Sequence, residues 1–468
     1  MKKEVITNTL DPRYKPSKGR LFLLSFQHVF AMFSATVLVP MLTGLPISVA
    51  LFASGVGTLI YILCTKARVP IYLGSSFAYI EYILAVSVYT TLENGDKEII
   101  SYGPALTGLV FVGIIYILVA LTIKLFKTNW LNKLLPPIVI GPMIMVIGLG
   151  LSGSAISNTG LVLNGDWRSV VVAFATLLIV AFTAILSKGF FKVIPFLVGI
   201  IGGYILAVIL NFIPNGSHVL IDFEPLKEVI THPSKWFSIP SFSIIGWKDQ
   251  ELFAGVTMYK ANFGALLTVI PLAFATICEH IGDHEVLGKI TGKDYIEDPG
   301  LSRTLMGDGV ATAFAGIIGG PANTSYGENT SVVGMTKVGS VWVTGCAAII
   351  AIVLSFCNIF TTLIATIPTA VMGGVCLILY GFIASNGLRT IIDAKLDLTS
   401  IRNLIIISVM LVIGIGGASI YNASGMKVFT SVALSAIVGV ILNIILPKEK
   451  VSNEDTEVTS SEEVESNN

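Results

Sequence analysis

The chain has 468 residues, 54% hydrophobic and 12% charged, with a formal net charge of zero. Ordinary soluble domains carry roughly 25% charged residues, so this composition excludes a soluble globular fold, and the balanced charge leaves no basic excess for nucleic acid. Stretches of about 18 or more apolar residues recur from end to end, each long enough to cross a bilayer core of ~30 Å, and they predict an all-α polytopic membrane protein.

In chain order, residues 1–20 form a polar arm carrying Lys2, Lys3, Arg13, Lys15, Lys18 and Arg20. The apolar run behind it is too long for a signal-peptide core and lacks a small-residue cleavage site, so it is expected as the first span. Apolar runs fall near 21–44, 47–65, 71–90, 104–124, 132–153, 168–187 and 193–213. After a long segment, 214–262, a second set falls near 263–286, 303–319, 326–338, 340–361, 366–384, 402–421 and 427–446. Residues 447–468 are an acidic tail, expected to be disordered and cytoplasmic. Cys64, Cys278, Cys346, Cys357 and Cys376 lie in or beside apolar runs with no Cys-x-x-Cys pair, and are expected as small buried residues with no disulfide framework and no metal.

The positive-inside rule supports this count of about fourteen spans. With the basic arm in the cytoplasm, the cytoplasmic loops hold Lys66 and Arg68, Lys124, Lys127 and Lys133, Lys188 and Lys192, Lys289, Lys293 and Arg303, and Arg389, Lys395 and Arg402. The expected domains are therefore a first seven-span repeat over 21–213, an extracellular loop over 214–262 and a second repeat over 263–446, with both termini inside. Because seven is odd, the second repeat would lie inverted relative to the first. Secondary transporters built this way bind substrate at the midplane, where two broken helices meet.

That architecture expects corresponding spans to be interrupted. The third contains Gly74-Ser75-Ser76, and the tenth is preceded by Gly319-Gly320-Pro321 and carries Gly327-Glu328-Asn329. Glycine and serine also serve close helix packing, but packing does not require the Glu328 carboxylate. Unwound backbone at membrane depth must be buried in protein or line a cavity, and a half-helix N-terminus there offers N–H groups to a ligand.

The eighth span ends in "TICEHIGDHEVLGK". Glu279 and Asp283 share one helix face, and His280 and His284 share another. Ionisable groups at the middle of a membrane helix cost about 2.5–3.5 kcal/mol each and mark functional sites by default. Glu279, nearest the apolar run, is the leading candidate. His284, Glu285 and Lys289 are expected to emerge into solvent, and Asp308, between two glycines, to shape a turn or join the site. "GKITGKD" is too short for a phosphate-binding loop, so transport would draw on an ion gradient.

With these residues in view, the sequence resembles the nucleobase–ascorbate transporter (nucleobase:cation symporter) family, most of all its bacterial uracil-permease branch. The likeness runs over roughly residues 20–446, in "QHVFAMFSATVLVP", "YLGSSFAYI", "EHIGDH", "DPGLSR", "NTSYGENTSVVGMTKV" and "PTAVMGGVCLILYG". It implies short crossing strands in spans three and ten, a core domain of spans 1–4 and 8–11, and a gate domain. It also implies uracil bound by Glu279 and Glu328, the backbone N–H groups of Phe77 and Gly327, and a wall at Ala35. Asp283, Asp308, His280 and Asn329 would support the site or pass the coupling proton.

The implied protein is a proton symporter of the plasma membrane, with protons favoured over sodium, no cofactor, and a homodimer as its assembly. Asp283 departs from the His common in uracil permeases and is more like the purine branch, as is Asp308. Glu328 replaces the Gln usual in that branch, and Ser331 replaces a frequent Gly. Xanthine or urate is accordingly the alternative substrate class. Other classes considered are an intramembrane metalloenzyme, suggested by His280 and His284 but lacking the Glu such a zinc helix needs after its first His, and a channel.

Overall fold

The structure, a computed structural model, describes residues 8–91, 97–127, 130, 135–163, 165–213, 219–243, 266–421 and 427–447. The arm before residue 8, the expected external loop at 214–218 and 244–262, and the acidic tail from 448 onward lie outside the described residues.

The first half runs α1 (Lys18–Thr43), α2 (Ile47–Cys64), β1 (Leu73–Ser75), α3 (Ile80–Val86), β2 (Val88–Thr91), β3 (Lys97–Ser101), α4 (Gly103–Phe126), α5 (Pro137–Gly150), α6 (Ser152–Asn158), α7 (Trp167–Leu186) and α8 (Pro195–Asn211). A short α9 (Glu224–Thr231) follows. The second half runs α10 (Leu266–Thr291), α11 (Leu301–Ile317), β4 (Asn323–Ser325), α12 (Gly327–Thr336), α13 (Val341–Ser355), α14 (Asn358–Ala365), α15 (Thr369–Asp393), α16 (Ile401–Ile415), β5 (Ile420–Tyr421), β6 (Lys427–Phe429) and α17 (Ser431–Ile445). Among the described residues, six helices are long and apolar enough to cross a membrane: α1, α2, α4, α5 joined with α6, α7 and α15. The chain is thus a helical membrane protein, with three two-stranded sheets among its described residues.

Three sequence-based boundaries move. The run over 71–90 holds the expected short strand, followed by a 3-10 turn at Phe77–Tyr79 and the short α3, but it ends early, Val88 leaving the helix for the β2–β3 hairpin. The run over 340–361 breaks after Ser355 into α13 and α14. The segment read as an external loop contains α9 and docks on that break, with Ser238 N–H donating to Phe356 O at 3.0 Å and Asn358 N–H donating to Trp236 O at 2.8 Å.

The helices pack in two groups. In the first, α11 lies against α4 and α2, α13 against α2 and α1, and α10 against α4 and α12. In the second, α15 lies against α5, α6 and α7, α7 against α8, and α16 against α17 and α5. Small residues set the closest approach: a Cβ on Gly309 of α11 would sit 2.6 Å from Tyr116 Cβ and 2.9 Å from Gly113 O of α4, so only glycine lets these backbones meet. α7 presents Val171, Phe174, Leu178, Phe182 and Ile185 at helical spacing on its exposed face, as a lipid-facing helix should.

Inside the first group, β1 and β4 cross antiparallel with Leu73 opposite Ser325, Gly74 opposite Thr324 and Ser75 opposite Asn323. Ladder bonds from Ser76 N–H to Ala322 O (2.8 Å) and from Tyr326 N–H to Tyr72 O (3.1 Å) flank the pair. Strands this short cannot satisfy their own outer backbone groups, so side chains complete the work. Ser54 Oγ donates to Leu73 O at 2.7 Å, Leu73 N–H donates to Thr58 Oγ1 at 2.9 Å, and Tyr326 OH donates to Ser75 O at 2.8 Å. Gly74 is required because the Tyr326 ring occupies the place of its missing side chain.

Asn323 anchors β4, its amide donating to Ala53 O at 3.1 Å on α2 and to Ala311 O at 3.2 Å on α11. Asn323→Ala is expected to strand those buried carbonyls at a cost of about 1–3 kcal/mol. The check is thermal unfolding of the purified protein in detergent, where the midpoint should fall by several degrees; an unchanged midpoint would refute the anchoring role.

Candidate substrate site

Each crossing strand runs directly into a helix start: β1 into the turn at Phe77, β4 into α12 at Gly327. Neither start has a side-chain cap, Ser76 and Tyr326 making no capping bond. Two sets of first-turn N–H groups, which helices leave without internal partners, therefore sit at the ends of one strand pair. Phe77, half-buried, packs against the cluster containing Ala35, Met32 and Tyr326, so Ala35 on α1 and Phe77 form one apolar wall.

Opposite that wall stands α10. Asp283 Oδ2 accepts from Ser325 Oγ at 2.9 Å, and a Cβ placed on Gly327 would lie 3.7 Å from Asp283 Oδ1. Glu279, one turn earlier, lies close enough to Glu328 and Asp283 for their charges to interact. Glu279 and Gly327 are exposed and Asp283 and Glu328 half-buried, although all three carboxylates are ringed by protein. Side chains that are surrounded yet accessible line an open cleft. The cleft thus brings carboxylate acceptors from two helices up to helix N-termini that donate, beside an apolar wall.

Behind the cleft lies a closed layer. His280 Nδ1 is 2.9 Å from Asp308 Oδ2, both side chains fully buried. Asp308 stands within α11 and shapes no turn; its hydrogen-bond partner one helix away, His280, holds it there. His284 does not emerge into solvent. Its Nδ1 donates to His280 O at 2.6 Å, which leaves Nε2 to accept from Tyr61 OH at 2.5 Å, whereas Glu285 and Lys289 are exposed. Asn329 Nδ2 donates to His28 O at 3.1 Å and to His28 Nδ1 at 3.0 Å, tying α12 to α1. Sequence reasoning singled out neither Ser325, Tyr61 nor His28. His28, a lone imidazole in the first apolar run, was the one signal available.

A family model described as "Permease family" matches residues 19–422. A uracil permease of Bacillus subtilis (strain 168) is 45% identical over 92% of this chain and 94% of its own length. One of Bacillus caldolyticus is 44% identical over 94% of each, and one of Escherichia coli (strain K12) is 36% identical over 93% of this chain and 95% of its own. Among solved structures, the transmembrane domain of the cyanobacterial bicarbonate transporter BicA aligns with a TM-score of 0.60 at 16% identity, over 91% of this chain and 97% of that one. Murine Slc26a9, an anion transporter in the inward-facing state, aligns with a TM-score of 0.63 at 13% identity, over 92% and 69%. Those two likenesses are of fold.

Proposed function

The chain belongs to this permease family, and from that membership we propose that it is a secondary active transporter importing uracil, and not an enzyme. The observation that carries the reading is the meeting of Glu279, Glu328 and the uncapped start of α12 at one cleft, in a chain whose relatives are uracil permeases. Uracil's edge alternates C=O and N–H, so it needs donors and acceptors in turn. Glu279 and Glu328 accept from the ring N–H groups, the N–H groups of Phe77 and Gly327 donate to its carbonyls, and Ala35 closes the pocket. Asp283, Asp308, His280 and Asn329 hold this arrangement or pass the coupling proton, with protons favoured over sodium.

In this reading fourteen spans form two inverted seven-span repeats over 21–213 and 263–446. The crossing of β1 and β4, one from the third segment of each half, supports it. The first helix group is the core domain that carries substrate and the second the gate domain it moves against, in alternating access. The gate surface forms a homodimer. A purine such as xanthine or urate is the second reading, favoured by Asp283 beside Gly327.

Labelled uracil should accumulate saturably in proteoliposomes made acidic outside, a protonophore should abolish the uptake, and xanthine, urate and thymine should compete weakly. Uptake driven by sodium alone would overturn the proton reading, and stronger competition by xanthine the uracil reading.

In this reading both termini are cytoplasmic in the plasma membrane, and the basic loops support it. A cysteine at Ser234, exposed just after α9, in a chain without native cysteines, should react with an impermeant reagent added outside. Protection there, with reaction at a cysteine replacing Ser452, would invert the topology.

A further inference from the structure

Two cavities meet where the N-terminal arm reaches the bundle. One, of about 690 Å³, is an apolar groove lined by Leu21, Leu59, Ile62, Trp342, Gly345 and Ile349. The other, of about 490 Å³, is polar and holds Lys66, Arg68, Lys293, Asp11 and Asp298. Arg13 and Ala67 line both, so the polar cavity opens onto the end of the groove.

Trp342 lines the groove: it is half exposed, and Lys15 Nζ lies 4.6 Å from its ring. Trp and Lys together are the side chains that settle at lipid headgroup depth. Asp11 pairs with Arg13 (3.2 Å) and Lys293 (3.3 Å), and Asp298 pairs with Arg68. The Arg13 guanidinium bonded to it is the main cause holding the Asp11 carboxyl at about 2, against its ordinary 3.8, so Asp11 stays ionised and paired at any physiological pH. Lys66 makes no ion pair among the described residues. It is held at a left-handed φ of 55°, followed by Ala67 at 53°, a conformation uncommon in residues with side chains. Four cations, Arg13, Lys66, Arg68 and Lys293, thus face two carboxylates at the head of an apolar groove that lies among helices of the membrane.

We infer that this is a binding site for one anionic glycerophospholipid, its phosphate against Lys66 and Arg13 and an acyl chain in the groove between α2 and α13. Cationic segments beside a membrane span draw anionic headgroups, and the groove volume falls in the roughly 300–1,000 Å³ range of small-ligand sites. The inference does not depend on the transported substrate.

The test is native mass spectrometry of the full chain in detergent, titrated with phosphatidylglycerol, phosphatidylcholine or glycerol phosphate. One phosphatidylglycerol should be retained per chain, at least tenfold more strongly than phosphatidylcholine, with no binding of glycerol phosphate alone. Lys66→Glu should remove the preference for the anionic lipid. Gly345→Phe should displace the acyl chain, since a Cβ there meets only Ile62 Cδ1, at 3.5 Å, and leaves the fold room for a ring directed into the groove. The two variants act on opposite ends of the site, so either one that folds decides the matter. Equal retention of phosphatidylcholine, binding of glycerol phosphate alone, or unchanged retention in a folded variant would overturn the inference.

Discussion

Glu279→Gln is expected to yield a protein that inserts, folds and elutes as the parent does, yet transports no measurable uracil. The amide is nearly isosteric and easier to hold within a membrane helix than a carboxylate. No described hydrogen bond or ion pair of the bundle depends on the Glu279 side chain, whose charge neighbours are Glu328, Asp283 and Asp308. Function should be lost for two separable reasons. An amide cannot take up and release a proton, and it directs donors at a base that also donates. The two separate by assay: binding of uracil at equilibrium tests the hydrogen bond, and exchange without a pH gradient tests the proton. Binding retained with accumulation lost would assign Glu279 to coupling alone. Wild-type accumulation would remove it from both roles.

How much of this was readable beforehand depends on whether the determining contact was local. The long spans were legible because run length alone decides them, and α1, α2, α4, α7 and α15 fall where the apolar runs do. The two interruptions were legible because Gly74-Ser75-Ser76 and Gly319-Gly320-Pro321 break helices by their own backbone chemistry. The end of the third segment was not legible: the residues from Val86 to Tyr89 are as apolar in a hairpin as in a helix, and hydropathy cannot tell them apart. Asp308 shows the same limit in reverse. Its Gly neighbours favour a turn locally, but Gly309 is there for the approach of α4, and the carboxyl is committed to His280, 28 residues away. His284 was misplaced because its burial comes from Tyr61, 223 residues earlier in the chain.

The same distinction frames Glu328, whose presence in an apolar chain was plain from sequence but whose neighbours were not. It occupies the first turn of α12, where a carboxylate is stabilised by the helix dipole and by the N–H groups it faces, its own among them. A bland structural reading would make it a helix-start residue and nothing more. Substitution separates that reading from a ligand role. Glu328→Ala should reduce uracil affinity tenfold or more, because losing a buried hydrogen-bonded partner costs about 1–3 kcal/mol, more when it is charged, and each ~1.4 kcal/mol is a factor of ten. Glu328→Gln is sharper. It keeps size and helix propensity, removes the charge, and places an amide beside Asp283, the residue that already departs from the uracil pattern. Uracil binding should weaken while competition by xanthine holds or improves, with expression and thermal midpoint unchanged. If uracil affinity in the Gln variant equalled the parent's, the carboxylate would serve only the start of α12, and recognition would have to rest on Glu279 and the backbone donors at Phe77 and Gly327.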